Sequence, residues 1–150
     1  AVIVSPDHDA YRVPSRNVFL GNEVRHGGWE RDRPVRLFRS SVRYNASRVH
    51  ESAEVTGPIG YLAATLSHEP YASLDDWFEK RGLYSKWWAD DRREKGKRAG
   101  IASVVFRAPL RFLTMYIVRG GWLDGGRGAL LACMAATSVF AKYARLYAGK

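Results

Sequence analysis

The side chains with the clearest chemical potential are carboxylates and imidazoles in two short motifs. His50 and Glu51 lie in VHES, and His68 lies in LSHEPY. A carboxylate within hydrogen-bond distance of a hydroxyl can act as its general base, and a neighbouring imidazole can orient or shield it. Spacing alone also allows a solvated Glu51 and a structural His50, because exposed Glu is common. His68 by itself is not a metal site, since one ligand does not fix a metal.

A glycine pair lies between an imidazole and an indole in His26, Gly27, Gly28 and Trp29. Glycine lets the backbone approach a ligand closely, and an indole can stack on the C–H face of a sugar. These four residues are therefore candidates for substrate binding. The alternative is an ordinary hairpin loop with its Trp packed on the core.

Arginines follow the glycine pair at positions 31, 33, 36 and 39. A guanidinium binds phosphate through two parallel hydrogen bonds, so Arg36 and Arg39 are candidate contacts to a phosphorylated substrate. A solvated basic face is the alternative for each of them.

The bulk composition describes one basic domain of 150 residues, 46% of them hydrophobic. With 24 Lys and Arg against 15 Asp and Glu, the net charge is +9, which implies an anionic partner. A bilayer or a phosphorylated substrate fits, whereas no nucleic-acid-binding signature is present.

The single Cys133 cannot form an internal disulfide, fits a reducing compartment and is expected to be buried in an apolar helix. The first residues do not resemble a signal peptide.

The elements that must position these side chains divide into a strand-rich part, 1–72, and a helical part, 73–150. Short runs of β-branched and aromatic residues predict strands in AVIV, YRVPSRNVFLG, VRLFRS, RVHESAEV and IGYLAATLSH. Asp7, His8 and Asp9 have DxD spacing but favour a polar turn over a metal motif.

Three amphipathic helices are predicted. Ser73 should cap the start of the first helix, and Gly96 should end it. Gly82 should interrupt the helix between these two residues. The second should start at Pro109 and end at the pair Gly120 and Gly121. The third should be capped by Asp124, and its uncharged run of 14 residues, 128–141, is shorter than the ~20 that span a bilayer.

Five motifs, taken in their order along the chain, resemble family 2 glycosyltransferases of the lipopolysaccharide-core glucosyltransferase type. They are RHGGWERDRPVRLFR, VHES, LSHEPYASLDDWFEK, YSKWWADDRREKGKRAG and RFLTMYIVRGGWLDGGRGALLA. The resemblance covers nearly the whole chain, from about Tyr11 to Tyr147. It implies an α/β fold, here an α+β fragment that forms the C-terminal part of a GT-A domain. That family's nucleotide-binding strands and DxD motif have no counterpart here, so the chain is expected to be a half that is inactive alone.

The resemblance also implies roles for the candidate residues. Glu51 would be the general base of an inverting transfer, with His50 beside it, and the glycine pair would line a substrate pocket. His68 would help to hold Mg²⁺ or Mn²⁺, but only together with the missing N-terminal half. The implied partners are a nucleotide-sugar donor and a lipid-linked or lipopolysaccharide acceptor.

Basic helices with Trp and Tyr are also typical of attachment to an anionic inner-membrane surface, here from the cytoplasmic side. The missing half or a second copy of the chain would cover the remaining apolar faces. The competing interpretations are a non-catalytic basic module that binds anionic lipid, and a remnant that folds by oligomerisation.

Overall fold

The computed structural model describes residues 6–29, 32–45, 52–71 and 73–149, with strands first and helices after them. The strands are β1 Ala10–Arg12, β2 Ser15–Phe19, β3 Asn22–Glu23, β4 Val35–Phe38, β5 Ile59–Tyr61 and β6 Leu66–His68. The helices are α1 Leu74–Glu94, α2 Ile101–Leu113 and α3 Gly125–Ala148. The expected mixture of short strands followed by three helices is confirmed. The predicted strand AVIV and the segment RVHES lie wholly or mostly outside the described residues.

Six short strands form two mixed sheets of three strands each, in the orders β4-β1-β5 and β3-β2-β6. In each sheet the central strand has one antiparallel and one parallel neighbour. Only Val13 and Pro14 separate the two central strands, so the sheets are directly joined. The parallel pairing of β2 with β6 places Asn17 opposite His68.

Residues 7–9 form a bend before β1, as the sequence predicts. The Tyr11 hydroxyl donates a hydrogen bond to the Asp7 carboxylate, and this bond more than any other contact lowers the pKa of Asp7 to about 2. The same bond raises the pKa of Tyr11. Asp9 accepts a hydrogen bond of 2.8 Å from Arg39. Both carboxylates thus bind side chains of their own sheet.

Helix α1 has the predicted ends. The Ser73 hydroxyl accepts a hydrogen bond from the Asp76 amide at 3.0 Å, and Gly96 turns the chain out of the helix at φ 68°. The predicted break at Gly82 is wrong, because the helix is continuous there. A glycine inside a helix costs about 1 kcal/mol relative to alanine. Burial of Trp77 and Ala89 on the same helix offsets that cost.

Helix α2 begins at Ile101, so the predicted start at Pro109 is wrong. Proline inside a helix removes the hydrogen bond to the carbonyl four residues earlier. Here Val105 and Pro109 are both exposed, so that carbonyl lies on the solvent side. The helix continues as a π-helical turn, Thr114–Val118, and Gly120 ends it in the left-handed region, as predicted.

The core joins the second sheet to α1 and α3. Its buried residues are Phe19, Val24, Trp77, Leu131 and Met134, with Trp29, Tyr71 and Leu130 packed against them. Cys133 is exposed, which contradicts its expected burial, because α3 turns the face with Leu131 and Ala132 inward and Cys133 lies on another side.

Candidate ligand-binding site between the glycine loop and the helices

The glycine loop, residues 26–29, is fastened to the junction between α2 and α3. The Gly27 amide donates to the Arg119 carbonyl at 2.9 Å. The Asp124 carboxylate accepts from the amides of Arg25 and His26 and lies 2.9 Å from the His26 Nδ1. Asp124 occupies the N-cap position of α3, as predicted, but its carboxylate binds the glycine loop and makes no capping hydrogen bond, so that part of the prediction is wrong.

The two loop glycines are required by their backbone conformation, and Gly28 also packs closely on the Arg119 side chain. Gly27 and Gly28 have φ values of 75° and 98°, a region that favours glycine. A Cβ atom on Gly28 would lie 2.6 Å from Nη1 of Arg119, and one on Gly27 would lie 3.8 Å from Cα of Gly121. The close approach that the sequence analysis attributed to a ligand is thus made by the protein itself. Ligand binding by the loop stays a prediction.

Asn17 connects the glycine loop to His68. Its Nδ2 donates to the Trp29 carbonyl at 2.9 Å, and its Oδ1 lies 2.9 Å from Nδ1 of His68. Because the carbonyl can only accept, Asn17 must direct its oxygen at His68. Nδ1 of His68 therefore carries the proton, and in the neutral ring Nε2 has the free lone pair. Asn17 is not among the residues that the sequence predicts for the site, since a lone Asn in a strand carries no local signal.

A cavity of about 360 Å³ lies beside the end of the same loop, which contributes Trp29 to its lining, whereas His26, Gly27 and Gly28 do not line it. Its wall contains aromatic and basic groups, namely Trp29, Tyr71, Arg81, Arg111 and Lys142. The basic residues come from α1, α2 and α3, one from each helix. None of the three basic residues is among the residues that the sequence predicts for the site. The signal available for Lys142 was its position directly after the uncharged run 128–141 of α3.

The other predicted site residues lie elsewhere or outside the described residues. Arg39 lines a separate cavity of about 390 Å³ on the first sheet, and Arg36 is exposed on β4 of that sheet. His50 and Glu51, the predicted catalytic pair, lie outside the described residues, as does Arg31. The residues on either side of 46–51 are paired, since the Asn45 amide donates to the Ser52 carbonyl at 3.0 Å.

His68 lies in no cluster of metal ligands among the residues that the structure describes. In the described part of the chain, no three His, Cys, Asp or Glu side chains form a cluster that could hold a metal ion. His68 offers one nitrogen, and a single protein ligand does not fix a divalent ion.

Loss of the Asp124 carboxylate should loosen the glycine loop. Asp124→Asn replaces one acceptor oxygen with a donor that faces the N–H groups of Arg25 and His26. We expect a loss of about 1–2 kcal/mol in the free energy of unfolding, measured by urea denaturation. Asp91→Asn is the matched control, because Asp91 pairs with Lys95 at the surface and such pairs contribute about 0–1 kcal/mol. Equal effects of the two substitutions would contradict this role of Asp124.

Comparison with known proteins finds a glycosyltransferase relative. Over 140 residues, 91% of its length, the chain is 30% identical to the lipopolysaccharide core biosynthesis glycosyltransferase LpsC of Rhizobium meliloti (strain 1021). The chain spans about half of that relative, 52% of its length. No family model matches the chain. No solved structure matches it either.

Proposed function

We propose that this chain is the C-terminal, acceptor-binding part of an inverting family 2 glycosyltransferase with a GT-A fold. It would serve the transfer of a sugar from a nucleotide-sugar to a lipopolysaccharide-core or other cell-envelope glycan. The observation that carries the proposal is the similarity to a core-biosynthesis glycosyltransferase along almost the whole chain. The motif order found in the sequence supports the same assignment.

The proposed chemistry needs one base on the acceptor side. In an inverting transfer, the acceptor hydroxyl loses its proton to the base as its oxygen attacks the anomeric carbon. The bond between that carbon and the nucleoside diphosphate breaks, and the leaving group keeps the electron pair. Glu51 is the proposed base, with His50 beside it. His68 stays a predicted ligand of Mg²⁺ or Mn²⁺, whose other ligands would come from the nucleotide-binding half.

A transfer assay tests the proposed function directly. The purified protein that contains this chain would be incubated with nucleotide-sugars labelled in the sugar and with truncated lipopolysaccharide cores. We expect label in the core fraction, and NMR of the new linkage should show the anomeric configuration opposite to that of the donor. Retention of the donor configuration, or failure to label any core acceptor, would contradict the proposal.

Helix α2 carries an exposed apolar stripe that favours a membrane surface. Ala102, Phe106, Leu110, Leu113 and Ile117 recur at spacings of three and four residues, which places them on one helix face, and all are exposed. Phe106 is 63% exposed. Residues 95–123 contain six basic residues and no acidic ones. An apolar stripe within a purely cationic segment suits an anionic bilayer surface.

Membrane attachment is the second part of the proposal. Two helical segments, Ile101–Val118 and Gly121–Ala148, have the length and the apolar composition to cross a membrane. Core helices of soluble proteins can have the same length and composition. We place α2 in the interface of the inner membrane, on the cytoplasmic side. The same stripe favours the competing function, a non-catalytic module that binds anionic lipid, and the transfer assay separates the two.

Vesicle binding tests the apolar stripe. Phe106→Ser with Leu110→Ser should weaken binding to phosphatidylglycerol-containing vesicles about tenfold or more, because two large apolar side chains would no longer enter the bilayer. The matched control is Phe78→Ser with Leu83→Ser, which removes the same two residue types from exposed positions on α1. Unchanged vesicle binding by the folded α2 variant would show that the stripe is covered by protein instead.

A further inference from the structure

The cavity beside the glycine loop gathers three cations that are far apart in sequence. Arg81, Arg111 and Lys142 line it from three different helices, so only the folded chain brings them together. Within residues 6–29, 32–45, 52–71 and 73–149, no carboxylate forms an ion pair with any of the three. Arg81 and Lys142 instead contact the rings of Tyr84 and Trp88.

This arrangement is electrostatically unfavourable without an anion. Burial, followed by repulsion from Arg81, Arg111 and Arg92, lowers the pKa of Lys142. Burial also lowers the pKa of Arg111. In the described part of the chain, Nε of Arg81 is buried and has no hydrogen-bond partner. Uncompensated positive charge in a partly buried cavity is the condition that a bound anion relieves.

We propose that this cavity binds the phosphate group of a phosphorylated ligand. The guanidinium groups of Arg81 and Arg111 can each donate two parallel hydrogen bonds to phosphate, and Lys142 adds a point charge. Trp29 and Tyr71 supply aromatic surface for the body that carries the phosphate, such as a sugar ring. The volume of about 360 Å³ lies within the range of small-molecule sites. This inference does not rest on the proposed transfer reaction.

Calorimetric titration tests the site on the purified protein. Inorganic phosphate should bind to the wild type, and Arg111→Gln should weaken that binding about ten- to hundredfold, because a charge-assisted hydrogen-bond pair is lost. Arg98→Gln is the control, since it removes the same charge from an exposed position, and it should change binding less than about twofold. Absence of phosphate binding by the wild type, or equal binding by both variants, would overturn the proposal.

Lys142→Met separates a binding role from a structural one. Because the charge of Lys142 is partly buried and is also repelled by its neighbours, its replacement by an apolar side chain of similar length should leave the Tm of the ligand-free protein unchanged or raise it. Phosphate should raise the Tm of the wild type but no longer that of this variant. A lower Tm with intact phosphate binding would assign Lys142 to structure and contradict the proposal.

Two further arms identify the source of the phosphate. Glucose 6-phosphate that binds more tightly than inorganic phosphate, with no binding of glucose, would support a phosphorylated saccharide. A lipid headgroup would be supported if vesicles that contain phosphatidic acid displace the bound phosphate and pure phosphatidylcholine vesicles do not. Both results support a phosphate site in this cavity, and Arg111→Gln should weaken the binding in either case.

Discussion

Glu51→Gln is expected to reduce the rate of sugar transfer by about 10²- to 10⁴-fold while donor binding stays unchanged. The substitution keeps the shape of the side chain and removes its basicity, and a positioned general base contributes this much to a rate. The rate should be measured at saturating nucleotide-sugar, in the protein that carries this chain together with its nucleotide-binding part. Calorimetry with the nucleotide-sugar supplies the binding constant.

Two further variants make this prediction specific. Glu54→Gln removes the same charge three residues later, at an exposed position whose amide donates to the Arg43 carbonyl, and should transfer at close to the wild-type rate. Glu51→Asp keeps a carboxylate but shortens its reach, so its activity should lie between those of the wild type and Glu51→Gln. Near-normal transfer by Glu51→Gln would assign the base to another residue.

Local signals in the sequence were sufficient to predict where α1 begins and ends. A capping Ser73 and a left-handed Gly96 act within a few residues of themselves, so their effect can be predicted from the neighbouring sequence. The local preference of Pro109 for a first helical turn failed because a proline on the exposed face of α2 can be accommodated inside the helix. Asp124 occupies the N-cap position of α3, but its side chain binds a distant partner instead of capping the helix. The Asp124 carboxylate lies beside His26, 98 residues earlier in the chain, and no local pattern announces that partner.

The candidate site likewise combines features that the local sequence predicts with features that depend on distant contacts. The motifs around Gly27 and His68 could be recognised one by one, but their connection through Asn17 depends on the parallel pairing of β2 with β6. The cavity cations depend on helix packing, since each looks like an ordinary solvated charge within its own helix. A resemblance to a family can assign a role to Glu51, but it gives no information on which distant side chains share a cavity.

Gly128→Ala is expected to lower the free energy of unfolding by about 3 kcal/mol, because α3 crosses a backbone turn at this residue. A Cβ atom on Gly128 would lie 1.8 Å from the carbonyl oxygen of Gly121 and 2.8 Å from the carbonyl carbon. Those atoms belong to a 3₁₀ turn, Gly121–Asp124, and backbone cannot rotate away as a flexible side chain can. Overpacking of this kind typically costs about 1–3 kcal/mol, and a clash with backbone lies at the upper end.

Gly126→Ala is the matched control in the first turn of the same helix. Nothing lies within 4 Å of the added atom, and alanine favours helix over glycine by up to about 1 kcal/mol, so this variant should be as stable as the wild type or more stable. The free energies of unfolding of the two variants are compared by urea denaturation, with one common m value for both curves. Equal stability of both variants would mean that the turn does not lie against α3 as described.

The Gly128 substitution should also act on the glycine loop, because the displaced turn carries Asp124. If the turn moves, the Asp124 carboxylate no longer meets the amides of Arg25 and His26. Asp124→Asn should then cost less in the Gly128→Ala background than in the wild type, a coupling measured by a double-mutant cycle. Phosphate affinity should fall in Gly128→Ala as well, since the loop that the turn holds carries Trp29 in the cavity wall. Additive stability losses would show that the turn and the loop respond independently.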